Sequence, residues 1–452
     1  MLNDIIVSIS TSLGKGAISI VRLSGEGCIE LVNNIFKGKD LTKVNSHTIN
    51  YGHIIDNDKV VDEVLVSVMK APNTYTREDI VEINCHGGIA VTNKVLELLV
   101  VKGARLALPG EFTKRAFLNG RIDLVEAEAV MDVIDSKTDK ALNVAVSNLS
   151  GNLSNIIREF RDNLLNLLAN IEVNIDYPEY EDAEVVTVNS IKEKVDEMTN
   201  SLNLIVKESM NKKIIKEGID VAIIGKPNVG KSSILNMLLG ENKAIVTDIA
   251  GTTRDVVEGS ISLNGIMLNF IDTAGIRETE DLVEKFGVEK SLEKMNEANL
   301  VLFVFNNNEE ITKEEEQLLD KIKDKKYIIV VNKKDLDTKL DLSKYNLDNI
   351  IYTDTVTDDG VEVLKSKIVE LFNIDELDNQ SDNFFTNERQ ITLAKEALNI
   401  LEDVKKGIDN EVPVDMIEID IKRIWTKLGE ILGENYDEEL IDKLFSNFCL
   451  GK

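Results

Sequence analysis

DVAIIGKPNVGKSSILNMLLG, Asp220 to Gly240, passes from an apolar run through a glycine-bounded loop into a helical period. Val221–Ile224 has the length and composition of a buried strand, and Ile234, Leu235 and Leu238 repeat as one face of a helix. Between them lies Gly225-x4-Gly230-Lys231-Ser232, the spacing of a phosphate loop. The glycines let the backbone wrap closely around phosphates, whose charge meets N–H groups and the positive end of the helix. Asn228, Val229, Gly230, Lys231, Ser232 and Ser233 are the expected contacts. Lys231 is expected to reach the β- and γ-phosphates, and the Ser232 hydroxyl to ligate Mg2+. From Gly218 to about Asn373, strands and helices alternate in the rhythm of a doubly wound parallel sheet.

Three further stretches follow in the order a guanine-nucleotide site needs. AIVTDIAGTTRDV carries Thr247, Asp248, Ile249, Ala250, Gly251 and Thr252 towards Thr253, a second hydroxyl for Mg2+ once a γ-phosphate is present. FIDTAG follows a strand, so Asp272 faces the metal and Gly275 offers its N–H to the γ-phosphate, with Thr273 and Ala274 between. VVNKKD ends another strand: Asn332 supports the base and loop, Lys333 and Lys334 follow, and Asp335 accepts from guanine N1–H and the exocyclic amine. Adenine lacks that donor pair and would leave Asp335 unmatched, so the unit is read as GTP-binding. Many GTPases orient the attacking water with a glutamine after D-x-x-G, but Ile276 stands there and can do neither. Asn228, with a side-chain oxygen near the α- and β-phosphates where a monovalent cation could replace an arginine finger, is one substitute. The Glu284 carboxylate in RETEDLVEKFG is another, and slow hydrolysis by a switch is the third reading.

Outward from this unit the texture changes twice. Residues 1–118 mix short β-rich runs (GAISIVRLSG, VVDEVLVSVM, DIVEINCHGG) with a helical pattern, predicting an α/β or α+β domain. Residues 119–216 and 376–452 are helical, and 217–375 hold the α/β unit. One helical domain in two pieces with the unit inserted is favoured over separate helical domains, because neither half need then bury its apolar face alone. Asp123 to Asp176 keeps a helical period throughout, with Gly151 the one obvious weak point.

Lys+Arg 52 against Asp+Glu 80 leaves a net charge of -28, which disfavours broad binding along a phosphate backbone. VKGARLALPGEFTKRAFLNGR is the local exception: Lys102, Arg105, Lys114, Arg115 and Arg121 are opposed there only by Glu111. It is either a basic patch or a solvated face that lacks acids. Cys28, Cys85 and Cys449 stand far apart, which fits a reduced protein without disulfides, and no second pair completes a zinc site with Cys85 and His86. MLNDIIVSIS lacks the features of a signal peptide, and no apolar run approaches the about 18 residues of a membrane span. A soluble, cytoplasmic protein is expected.

GKPNVGKSS, AIVTDIAGTTRDV, IDTAGIRET and NKKD, with PGEFTKRAFLNGRIDLVEAEA and the terminal FSNFCLGK, together resemble the bacterial tRNA modification GTPase family (MnmE/TrmE). The resemblance implies a multidomain chain: an α/β N-terminal tetrahydrofolate-binding domain that also forms a homodimer, a discontinuous α-helical domain, and an inserted Ras-like P-loop GTPase domain. It implies that, with an FAD-containing partner in a heterotetramer or larger complex, the protein adds an aminomethyl or carboxymethylaminomethyl group at C5 of the wobble uridine of certain tRNAs. The one-carbon unit would come from 5,10-methylenetetrahydrofolate or 5-formyltetrahydrofolate. It implies K+ held by Asn228, the Thr247 and Ile249 carbonyls and Thr252, with Glu284 as catalytic carboxylate. Folate contacts fall on Arg22, Glu82, Arg121 and Lys452. Two departures stand out: Asp354 and Thr355 replace the family's Ser-Ala before the last nucleotide turn, where an acid near guanine O6 is expected to be mildly repulsive, and Arg121 replaces a frequent lysine. A regulatory or assembly switch GTPase without folate chemistry is the alternative.

Cys449, fourth from the end, invites a prenylation reading that Gly451 and Lys452 do not suit. The amphipathic ELIDKLFSNF could carry it into the core, whereas the resemblance implies a tail cysteine near the folate or RNA chemistry, a candidate catalytic group, with Lys452 reaching the same pocket.

Overall fold

The computed structural model describes residues 4–176, 188–240, 259–271, 288–357, 359–379, 383–434 and 438–452. Its first sheet holds β1 (Ile6–Ile9), β2 (Ile18–Ser24), β3 (Phe36–Gly38), β4 (Thr48–Asp56), β5 (Lys59–Met69), β6 (Ile80–His86) and β7 (Arg105–Leu106). The strand order is β3-β4-β5-β6-β2-β1-β7, with only the β1–β7 pair parallel. Alternation buries Val21, Leu23, Val81 and Ile83 against the helices Cys28–Asn33 and Ile89–Val101. It turns Arg22 and Glu82, direct partners across β2 and β6, to the opposite face.

The second sheet holds β8 (Ile219–Ile224), β9 (Ser260–Leu263), β10 (Ile266–Phe270), β11 (Leu300–Asn306), β12 (Lys326–Asn332) and β13 (Ile350–Tyr352), ordered β13-β12-β11-β8-β10-β9. All pairs are parallel except β9 with β10. β11 reads LVLFVFN because both its faces are covered. Leu302 lies with Ile223 and Ile328 in one core, and Phe303 with Ile224 and Ile329 in the other. The chain leaves β8 towards β10 and leaves β11 towards β12, so the switch of direction falls between β8 and β11. Ligands of such sheets bind beyond the carboxyl ends of the strands at that switch.

The helices Asn152–Asp176, Val188–Glu217, Glu388–Asp409 and Val414–Leu432, from both sides of this sheet in sequence, share a core that includes Ile157, Leu168, Leu202, Leu401 and Leu428. Arg389 locks the halves together, meeting both Glu128 oxygens at 2.9 Å and donating to the Glu430 and Ile431 carbonyls. Both passages of the chain between the helical body and the second sheet meet one carboxylate: Asp132 receives the Lys216 ammonium at 2.7 Å and the Thr386 hydroxyl at 2.9 Å.

Gly151 (φ 81) does end a helix, but the expected continuous run also breaks at 136–138, giving Leu124–Asp135, Asp139–Leu149 and Asn152–Asp176. The reason is capping: the Ser136 hydroxyl turns back to the Asp132 carbonyl, and the Thr138 hydroxyl accepts the Ala141 N–H at 3.2 Å to begin the next helix. The middle helix then places Ala141 and Val144 in the core of the second sheet. No helix among the described residues is long and apolar enough to cross a membrane.

Candidate functional site

The phosphate loop leaves β8 through Gly225 (φ 148), where a Cβ would lie 2.4 Å from the Val304 carbonyl oxygen. It enters the helix Lys231–Leu239 through Gly230 (φ 102), where a Cβ would strike the Asn332 amide at 2.1 Å. Only glycine fits either place. Side chains hold the loop open from within: Lys231 Nζ donates to the Gly225 and Lys226 carbonyls at 2.9 Å each. Asn332 Nδ2 donates to the Val229 carbonyl and Lys333 Nζ to the Asn228 carbonyl, both at 3.0 Å. Asn228 itself takes a positive φ of 62. The fully buried Asn332 is fixed in turn by the Thr353 hydroxyl at 3.3 Å. The loop after β12 therefore braces the loop after β8, and the Asp335 carboxylate stands exposed on the same segment. Lys334 pairs with Asp359.

Asp354, expected as an acid facing guanine O6, spends both oxygens on its own loop. They accept the Val356 N–H at 2.9 Å and the Thr357 hydroxyl at 2.7 Å, and these bonds hold its carboxyl below the usual range. Ser232 and Ser233 open the helix after Lys231. Thr247, Asp248, Ile249, Ala250, Gly251, Thr252, Thr253, Asp272, Thr273, Ala274, Gly275 and Glu284 lie outside the described residues.

A second constellation forms on the outward face of the first sheet. Arg22 Nε meets Glu82 Oε1 at 2.8 Å, both side chains about a fifth exposed (21% and 22%). Arg22 Nη1 and the Ser10 hydroxyl both donate to the Gly451 carbonyl, at 3.2 and 3.1 Å. The tail is seated by further main-chain bonds, from the Gly110 N–H to the Cys449 carbonyl and from the Phe112 N–H to the Lys452 carbonyl. Beneath it Phe445 and Phe448 pack with Phe117, Leu124 and Ala127. The Arg22 guanidinium lies over the Phe112 ring (5.7 Å) and that of Arg121 over Tyr75 (4.8 Å), and these two rings pack together with Ile6 and Ala107. Arg121 also lines a hollow of about 450 Å³ with Asp123, Glu126 and Arg158. Burial raises the carboxyls of Asp123 and Glu126 there.

Of the sequence-predicted groups, Arg22, Glu82 and the tail that ends in Lys452 therefore meet, with Arg121 at the neighbouring ring. The inward path for Cys449 is not taken; its side chain is exposed. The basic patch is largely neutralised by acids remote in sequence. Arg115 is 1% exposed and meets Asp4, Glu78 and Glu111. Arg105 binds Asp4 and Glu111, and Lys114 pairs with Asp442. Of these five, Lys102 and Arg121 keep exposed positions outside the ion pairs formed among the described residues. Sequence reading passed over Lys226 and Glu315, whose ion pair joins the phosphate loop to a helix start; T-x-x-E at Thr312–Glu315 was the available signal. Among the described residues, no group of three or more His, Cys, Asp or Glu is arranged to hold a metal.

The MnmE helical domain matches residues 124–449, and the GTP-binding protein TrmE N-terminus matches residues 5–121. The tRNA modification GTPase MnmE of Bacillus cytotoxicus is 53% identical over 99% of this chain and 99% of its own. That of Bacillus mycoides is 52% identical with the same coverage. The G domain of the T. maritima FeoB iron transporter is 32% identical over 34% of this chain and 98% of its own, with a TM-score of 0.25.

Proposed function

The chain belongs to the MnmE family of tRNA modification GTPases, and from that premise we propose a K+-activated enzyme that uses a tetrahydrofolate one-carbon unit at C5 of the wobble uridine. The observation that carries the folate half is the seating of the tail on the Arg22–Glu82 pair by way of the Gly451 carbonyl. A pure switch needs no such construction. Its donor set fits a reduced folate: the Glu82 carboxylate can accept from the amino-pterin, while Arg22, Arg121 and Lys452 can meet the glutamate tail. A folate held there supplies the one-carbon group. The exposed Cys449 thiol stands on the same tail.

In the nucleotide half, Lys231 and Ser232 meet phosphates and Mg2+, and Asp335 reads guanine. Asn228, with the Thr247 and Ile249 carbonyls and Thr252, offers neutral oxygens suited to K+, which supplies positive charge beside the phosphates. Glu284 holds the attacking water. In our reading the protein is a cytoplasmic homodimer that works on tRNA with an FAD-containing partner.

Wobble-uridine analysis of tRNA from cells lacking the protein tests the whole reading. Loss of the C5 modification is expected, and an unchanged uridine profile overturns it. Two measurements on the full chain separate the halves. Hydrolysis much faster in K+ than in Na+ supports the cation site, and equal rates remove it. Calorimetry with 5-formyltetrahydrofolate should show binding; its absence returns the chain to a switch GTPase.

A further inference from the structure

Lys226, the residue after the first loop glycine, contributes to the nucleotide site only by its backbone in the motif. Its side chain nevertheless has a built receptor. Its ammonium meets Glu315 Oε2 at 2.7 Å and donates to the Glu310 carbonyl at 3.1 Å, with the lysine 16% and the glutamate 2% exposed. The same Glu315 oxygen accepts the Thr312 N–H at 2.9 Å and its hydroxyl at 3.1 Å, closing the capping box of the helix Lys313–Ile322. On the other side, the Lys226 carbonyl accepts Lys231 Nζ. A buried acid is thus linked through one lysine to the ammonium that meets phosphate.

We propose that Glu315 is a positioning residue of the GTP site, which through Lys226 sets the carbonyl that aims Lys231. A capping box needs only an acceptor at this position, and glutamine supplies one. The ionised group has a further use: it holds a lysine that is itself largely desolvated, an arrangement that is costly once either partner is lost. With Glu315 neutral, Lys226 is drawn out to solvent and the carbonyl that holds Lys231 moves with it. The effect falls first on nucleotide binding and release, where the Lys231 contact to phosphate is made and broken, and less on the chemical step.

The test uses the full chain as Glu315→Gln, Lys226→Met, both together, and Thr312→Ala. It reads the GTP KM, kcat, the release rate of a fluorescent GDP, and the melting temperature. Glu315→Gln is expected to raise KM and GDP release about tenfold, with kcat within about twofold, the size of losing one charged hydrogen bond. The double variant should be no worse than the worse single one, since both act along one chain of contacts. Lys226→Arg should stay near the wild type. Thr312→Ala removes the hydroxyl from the cap but leaves the ion pair, so it should lower the melting temperature without changing GDP release. The proposal is overturned by unchanged GDP release in folded Glu315→Gln. Equal acceleration by Thr312→Ala also overturns it, because helix capping would then account for the effect.

Discussion

The phosphate loop and the tail site use the same bond, a cationic side chain donating to a glycine carbonyl, across very different lengths of chain. Lys231 reaches the Gly225 carbonyl over 6 residues, whereas Arg22 reaches that of Gly451 over 429. Both glycines adopt positive φ, and at both a Cβ would strike a main-chain oxygen, that of Val304 at 2.4 Å and of Ile9 at 2.6 Å. The loop takes shape once β8, its helix and the end of β12 are in place, because its donors are Lys231 within it and Asn332 and Lys333 at the end of β12, one strand beyond β11. The tail site exists only after the last helix has docked. One site is local and robust, and the other reports on the assembly of the whole chain.

Three experiments press on that contrast. The largest effect is expected from Lys231→Ala, which should weaken GTP binding by roughly a hundredfold by removing a charge-assisted contact to phosphate. Calorimetry should find 5-formyltetrahydrofolate binding unchanged, and a parallel loss of both ligands would break the separation of the sites. Next is Gly451→Ala, whose added carbon meets the Ile9 oxygen from a left-handed backbone. Strain of this kind corresponds to about a tenfold loss of folate affinity, with GTP KM within about twofold. A nucleotide defect of equal size would show that tail docking shapes the loop as well.

The smallest effect concerns His86, on the same strand as Glu82. Its bond to Asp62, 2.6 Å long, raises its pKa above the ordinary 6.5. Because the folded value is the higher one, the pair stabilises the fold fully below about 6.5, and that contribution fades as pH rises through the raised value. An NMR titration should place the midpoint above that of Asp62→Asn. Folate affinity should stay flat across this range, since His86 makes no contact with the tail among the described residues.

Legibility follows the same division. The glycine spacing, Lys231 and the brace from Asn332 were readable because they are contiguous motifs attached to strands that read as buried runs. Helical texture on both sides of the second sheet was readable from its period. What escaped depends on partners far away in sequence. VKGARLALPGEFTKRAFLNGR reads as basic only until Asp4, Glu78 and Asp442 arrive in space. Periodicity ran through residues 136–138 because two hydroxyl caps break a helix without disturbing its apolar pattern. Asp354 looked like a hazard to guanine because sequence does not show which atoms its oxygens accept. Cys449 could be placed on an amphipathic segment, but its exposure was settled by where Phe445 and Phe448 pack.

Asp132 gives the inserted unit a property of another kind. The outgoing passage reaches it through Lys216 and the returning one through Thr386, so both come within reach of one side chain. A segment whose two ends meet can be spliced into a host, or cut from it, without rethreading what surrounds it. Seen this way, the carboxylate marks a seam between two modules, where the nucleotide-binding sheet is mounted on a helical frame that keeps its own packing.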